Sequence, residues 1–245
     1  MIQAIQAINT KIFQEMANIP NIYVGFDFSM NKPAATIYCD NKIYFYLWAA
    51  NLQASKIEKY KNCNVRAISR ELGPVETKSR NKKSNIENTQ IVLIHTIRSL
   101  DLANMIINDL DSLIKNSLGY DTFNLYVCSE GLSYNSMGDA TLNLATYKGV
   151  LLAKIYEHYG DMLKRLFTYS PITLKSTAGC ATKELRHDKK NMIHAFMIEP
   201  YDIPFKKAII NGDLTSKVNF IEGVDDLVDS YWAFKTMITR EKLPL

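Results

Sequence analysis

The feature that most constrains this chain is a change of hydrophobic period at residue 21. Three short runs follow it, at 22–28, 35–39 and 43–48, each rich in β-branched and aromatic side chains, and Asn31-Lys32-Pro33 and Asp40-Asn41 separate them. Apolar runs bounded by turn formers read as strands, and the Asp-Asn pair predicts a tight hairpin. Ahead of them Ile2, Ile5, Ile8, Ile12, Phe13 and Met16 recur at three- and four-residue steps. That spacing predicts an amphipathic helix over 2–17 whose stripe packs on its own domain or on a partner. Beyond the three strands the spacing predicts helices over 95–116, 140–159, 182–197 and 223–239, strands over 123–128 and 167–174, and an irregular 200–219. Three antiparallel strands followed by alternating helices and strands predict an α/β fold, a mixed sheet covered by helices.

Residues 53–90 lack a sustained period and read as an excursion from that core. Residues 49–90 carry nine Lys or Arg against four Glu, so a mild net charge of +4 conceals one basic segment. Such a segment can neutralise phosphates. The organisation expected is a helix at 1–20 and one catalytic domain at 21–245 with a basic insertion at 49–90. Hydrophobic residues make up 47% of the chain, enough for a sizeable core. Cys39, Cys63, Cys128 and Cys180 have no CxxC spacing, which argues against a disulfide framework or a structural zinc site and for a reducing, cytoplasmic setting. No run approaches the roughly 20 apolar residues of a membrane span, so no membrane partner is expected.

Chemistry is carried by four acids far apart in sequence. Asp27 ends the first predicted strand, where it either caps the following turn or sits as a charge among apolar neighbours. Glu130 ends the strand that includes 125–129. Asp226 and Asp229 share one face of the last helix at i, i+3. Asp225 and Asp226 also suit the positive end of a helix dipole, which leaves either of them open as the functional acid, whereas Asp229 lies beyond the first turn. Convergence of such oxygen donors suits Mg²⁺, and a two-metal site hydrolyses phosphodiesters with one ion activating water and the other stabilising the leaving oxygen. In that scheme Asp27 bridges the ions.

The order of these acids resembles the RuvC-like Holliday junction resolvases of the RNase H-like superfamily: a first-strand Asp before a hairpin, a later strand-end Glu, and a closing-helix Asp-x-x-Asp. The run 142–150, Leu-Asn-Leu-Ala-Thr-Tyr-Lys-Gly-Val, is similar to that family's Leu-x-Leu-Gly-x-x-Arg-Gly-Val helix. The run 175–183 is similar to its Lys, Gly-x-Gly and Ala-x-Lys stretch. The resemblance covers 23–48 and 93–234 and departs from the family where Phe28-Ser29 replaces Pro-Gly. It departs again where Ser133 stands at the aromatic wedge position, beside Tyr134.

The resemblance implies an RNase H-like mixed sheet with three antiparallel N-terminal strands, then parallel strands, and helices on both faces. It further implies a homodimeric, structure-selective DNA endonuclease of recombination and repair, of a divergent phage type and so in the host cytoplasm. Asp27, Glu130, Asp226 and Asp229 would be its catalytic and metal-binding acids. Two Mg²⁺ ions, replaceable by Mn²⁺, would occupy each active site, and Lys175, Lys183 and Tyr134 would contact branched or duplex DNA. A phage terminase-type packaging nuclease of the same fold is the alternative, although no phosphate-binding Gly-rich Lys-Ser/Thr loop precedes the acids. An actin- or hexokinase-like phosphotransferase would also begin with an Asp before a hairpin, and a non-catalytic DNA-binding protein of the fold is the remaining reading.

Overall fold

The computed structural model describes residues 19–71, 85–132, 139–186, 188–216 and 219–245, with side chains starting at 92 and 141 in the second and third segments. The helix expected over 2–17 lies outside them, as does Tyr134. The three expected strands are present as β1 (Asn21–Asp27), β2 (Ala34–Cys39) and β3 (Lys42–Ala50), paired antiparallel in sequence order. Asp40 and Asn41 take φ of 50° and 60°, the left-handed pair of a two-residue hairpin turn that Asp and Asn tolerate. On the other side of β1 lie β5 (Asn124–Glu130) and then β6 (Leu163–Tyr169), each parallel to its neighbour. The mixed sheet expected from the resemblance is therefore present.

The sheet is larger than expected. Residues 54–61 form helix α1 (Ala54–Lys61), and Val65–Arg70 form β4, parallel to β3 at the edge of a six-stranded sheet ordered β4-β3-β2-β1-β5-β6. These residues are part of the core architecture rather than an excursion from it. Charged Arg66 and Arg70 break the apolar pattern, as edge strands commonly do. The strand expected over 167–174 instead ends at Tyr169, because Pro171 opens the short helix α4 (Pro171–Thr177), a position where its missing N–H costs nothing.

Helices cover both faces. Strand alternation sends Ile22, Val24 and Phe26 to one side, where they meet Leu102, Ala103, Ile106 and Leu110 of α2 (Asn85–Asp111) and Leu151, Ile155 and Tyr159 of α3 (Asp139–Tyr159). Helix α2 begins ten residues before the start expected at 95. The other side of β1 presents Tyr23, Gly25 and Asp27 to the last helix, α7 (Val224–Glu241). The helices α5 (Lys189–Met197) and α6 (Pro204–Ile210) pack around it; the helix expected from 182 thus starts at Lys189, with 182–186 in turns and a bend, and 204–210 is helical where irregular structure is expected. A two-stranded ribbon, β7 (Thr215–Ser216) with β8 (Asn219–Phe220), leads into α7. Among the described residues, no helix is long and apolar enough to cross a membrane.

What positions the site is the approach of α7 to β1. A Cβ at Gly25 would stand 2.3 Å from the Phe234 nitrogen and 2.4 Å from the Ser230 oxygen, so the helix backbone rests directly on the strand. Beside it the buried Thr36 and Ser230 hydroxyls meet at 2.8 Å, while Ser230 gives its own hydrogen to the Leu227 carbonyl at 2.7 Å. Thr36 must therefore donate in that pair. Gly223 begins the helix at φ 97° with Leu47 2.5 Å from where a Cβ would be. We expect Gly25→Ala to destabilise the protein by about 3 kcal/mol or more, since backbone on both sides cannot yield as a side chain would, read as a lowered midpoint in chemical denaturation.

Candidate active site

Strand register brings the first two acids together. Phe26 of β1 pairs with Ser129 of the parallel β5, so one residue further on Asp27 and Glu130 stand at adjacent strand ends. Alternation puts both on the α7 side, in line with Gly25 and Cys128 respectively. The Gly25 contact then holds the first half of α7 over these ends, with Asp226 and Asp229 on the facing side.

The four carboxylates act on one another. Burial, followed by the charges of Asp229, Asp226 and Glu130, pushes the Asp27 carboxyl well above the ordinary carboxylate range. Burial and the Glu130 charge raise Asp229 to about 7, and burial with the neighbouring Asp225 raises Asp226 to about 6. Glu130 is also raised by burial, against the pull of Lys175, Lys189 and Lys148. Asp226 is 6% exposed, and its Oδ2 has no hydrogen-bond partner among the described residues. Four acids from three separate elements thus share too much negative charge for the cations around them.

Asp225 behaves differently. Burial alone would raise it, but the Lys189 ammonium 3.1 Å away wins and lowers it. Of the two candidates in the helix's first turn, Asp226 is buried and its charge acts on Asp27, whereas Asp225 is paired with Lys189.

Lysines ring the acids, and most were not singled out in the sequence. Lys148 is buried at 9% exposure, and its ammonium donates to the Glu130 carbonyl. It occupies the Arg position of the Leu-x-Leu motif, a signal that was available in the sequence. Lys189 follows the α5 cap at Asp188, and nothing in its local sequence marks it. Lys32, in the turn after Asp27, stands 3.4 Å from Asp226 Oδ2. Of the lysines that were singled out, Lys175 lies where its charge acts on Glu130, with its ammonium donating to the Arg186 carbonyl at 2.7 Å. Lys183 sits in an exposed turn and is not among the cations acting on Glu130.

Four of the five cations of the basic segment among the described residues are engaged within the protein. Lys56 pairs with Glu222 at 2.9 Å, Arg66 with Asp109 at 3.1 Å, Lys59 donates to the Asp213 carbonyl, and Arg70 is buried. Lys78, Arg80, Lys82 and Lys83 lie outside the described residues.

Among the described residues, no three His, Cys, Asp or Glu side chains stand close enough to hold a metal ion in this arrangement. The donor chemistry nevertheless fits a divalent cation. The donors are hard carboxylate oxygens, their charges act on one another, and one buried oxygen has no hydrogen-bond partner among the described residues.

No protein-family model matches this sequence, and no curated protein does. Among solved structures, the chain is similar to Thermus thermophilus RuvC at 11% identity and TM-score 0.37, over 90% of this chain and 96% of that one. The same enzyme in complex with Holliday junction substrate gives 10% identity and TM-score 0.37, over 91% and 95%. The yeast mitochondrial Holliday junction resolvase Ydc2 gives 11% identity and TM-score 0.42, over 87% and 76%. Similarity at that level carries no functional argument, which rests on the site.

The raised acids set a pH dependence. Each holds its proton in the fold at pH values where the unfolded chain has released it, so stability falls as pH rises from about 4 through about 7. Asp229→Asn is expected to stabilise the metal-free protein by about 1–3 kcal/mol at pH 8 and by almost nothing below pH 4, as measured by thermal denaturation across that range.

Proposed function

We propose that this chain is a Mg²⁺-dependent DNA endonuclease of the Holliday junction resolvase type, hydrolysing phosphodiester bonds in branched DNA. The observation that carries this reading is the convergence of Asp27, Glu130, Asp226 and Asp229, each raising or sharing the charge burden of the others. Stability alone does not account for such an arrangement, since four acids at one place with too few cations weaken the fold.

In this reading Asp27, Glu130, Asp226 and Asp229 hold two divalent ions, which when bound would supply an activated water and stabilise charge on the leaving oxygen. The remaining work belongs to the chain. Deprotonated carboxylates are needed for ligation, and their raised proton affinity makes metal uptake compete with protons. Lys148 fixes the end of β5 through the Glu130 carbonyl, which orients that acid without consuming its oxygens. Lys175 supplies positive charge beside Glu130 for a DNA phosphate. Lys183 and Tyr134 are proposed as further DNA contacts, and a homodimer would match two sites to a two-fold junction.

The decisive comparison is cleavage of a four-way junction, a fork and a linear duplex in Mg²⁺ by the wild type and Asp27→Asn. We expect preferential cutting of the junction, and loss of at least about a hundredfold in rate with Asp27→Asn while DNA binding persists. Equal cutting of all three substrates would remove the resolvase assignment and leave the nuclease. Absence of Mg²⁺-dependent cutting by the wild type would remove both.

A further inference from the structure

Arg70 ties the loop that carries Lys32, one of the lysines beside the acids, to the edge of the sheet. The loop 28–33 joins Asp27 to β2 and carries Lys32. Its backbone is held from below by β3, since the Ala50 N–H donates to Asn31 O at 2.7 Å and the Trp48 N–H to Pro33 O at 2.9 Å. Arg70, 7% exposed in the edge strand β4, donates from Nη2 to Met30 O at 2.8 Å and Asn31 O at 3.3 Å, and from Nε to Trp48 O at 3.0 Å. The Lys32 N–H donates to Ser29 Oγ at 2.9 Å within the loop. A forked, pre-organised guanidinium thus adds a second set of hydrogen bonds to a loop that β3 already holds. The brace comes from β4, the strand that lies outside the resemblance to the resolvases.

At the tip of this loop the Lys32 ammonium stands 3.4 Å from Asp226 Oδ2, the oxygen with no hydrogen-bond partner among the described residues. That separation is an ion pair longer than a charge-assisted hydrogen bond, and the Lys32 side chain retains 29% exposure. A loop held by backbone and guanidinium hydrogen bonds therefore carries a part-exposed cation to a buried acid of the site whose Oδ2 has no hydrogen-bond partner among the described residues. We propose that Lys32 is a substrate contact with two partners in turn: it neutralises Asp226 in the metal-free protein and passes to a DNA backbone phosphate when a divalent ion takes Asp226, with Arg70 as the positioning residue.

This inference rests on the nuclease reading. Metal and ammonium compete for the same oxygen, so metal binding releases the lysine. Because its loop is clamped, the released ammonium stays beside the carboxylates, where the phosphate to be cut must lie. Metal uptake and DNA grip are then coupled through one side chain.

The test uses Lys32→Ala, Lys32→Arg and Arg70→Lys in the full chain. Metal affinity is read without DNA, from the thermal shift on Mg²⁺ titration. DNA affinity is read on a four-way junction with Ca²⁺ in place of Mg²⁺, as a function of salt. Lys32→Ala is expected to bind Mg²⁺ roughly three- to tenfold more tightly, because a competing cation is gone. The same variant should bind DNA more weakly, with the slope of log affinity against log salt reduced by about 0.9, the value of one phosphate contact. Lys32→Arg should keep the wild-type slope. Arg70→Lys should reproduce both changes in weaker form; if it fails to fold, the Lys32 pair decides alone. A Lys32→Ala variant that changes only one of the two affinities, or neither, overturns the exchange. A wild type with no Mg²⁺-dependent shift and no Mg²⁺-dependent cleavage removes the nuclease reading itself and the exchange with it.

Discussion

Helix α7 touches β1 at Gly25 with no room for a side chain between them, and the rest of the site depends on that contact. A residue with even a methyl group would lift the helix away from the strand. Asp226 and Asp229 would then leave the strand ends where Asp27 and Glu130 stand, and the Thr36–Ser230 hydrogen bond would be lost with them. The apolar face of α7, from Leu227 through Tyr231, Phe234 and Met237, supplies the burial that holds the helix down. Glycine supplies the closeness, and the hydrophobic face supplies the force.

That force works against electrostatics. The same approach that buries Tyr231 and Phe234 brings carboxylates into a shared, poorly solvated region, where each makes ionisation of the others harder. Lys189 answers Asp225, Lys148 is committed to a carbonyl, and Lys32 pairs with Asp226 at 3.4 Å, longer than a charge-assisted hydrogen bond. The fold tolerates the surplus because two cores, one on each sheet face, are built from large buried side chains such as Trp48, Tyr23 and Phe26. Strain kept at a functional site and offset elsewhere is the pattern expected when a site serves chemistry rather than stability.

The edge strand adds a second layer of control. Beyond the hairpin of β2 and β3, β4 and α1 extend the sheet, and their cations are mostly turned inward to carbonyls and acids of the same chain. A stretch that resembles a nucleic-acid-binding loop by composition is, over its described part, a brace. Its effect on the site passes through the loop 28–33, whose backbone β3 and Arg70 hold in place.

The sequence by itself determined the elements whose signals are local. Alternating apolar runs marked β1 to β3, Asp40-Asn41 marked their turn, and the order of Asp27, Glu130, Asp226 and Asp229 marked the acids. It misread what depends on partners. The charged edge strand β4 has no apolar alternation to reveal it, β6 was placed four residues late because Leu163 to Leu166 carry charges on an edge, and Lys32 and Lys189 look like any exposed lysine. Only the tertiary structure decided that Asp226 is buried while Asp225 pairs with Lys189, that Lys148 is buried against β5, and that Arg70 is a clamp. The physical reason is range. Turn and period signals are read within a few residues, whereas the charge a carboxylate feels is set by side chains that meet only when α7 closes on Gly25.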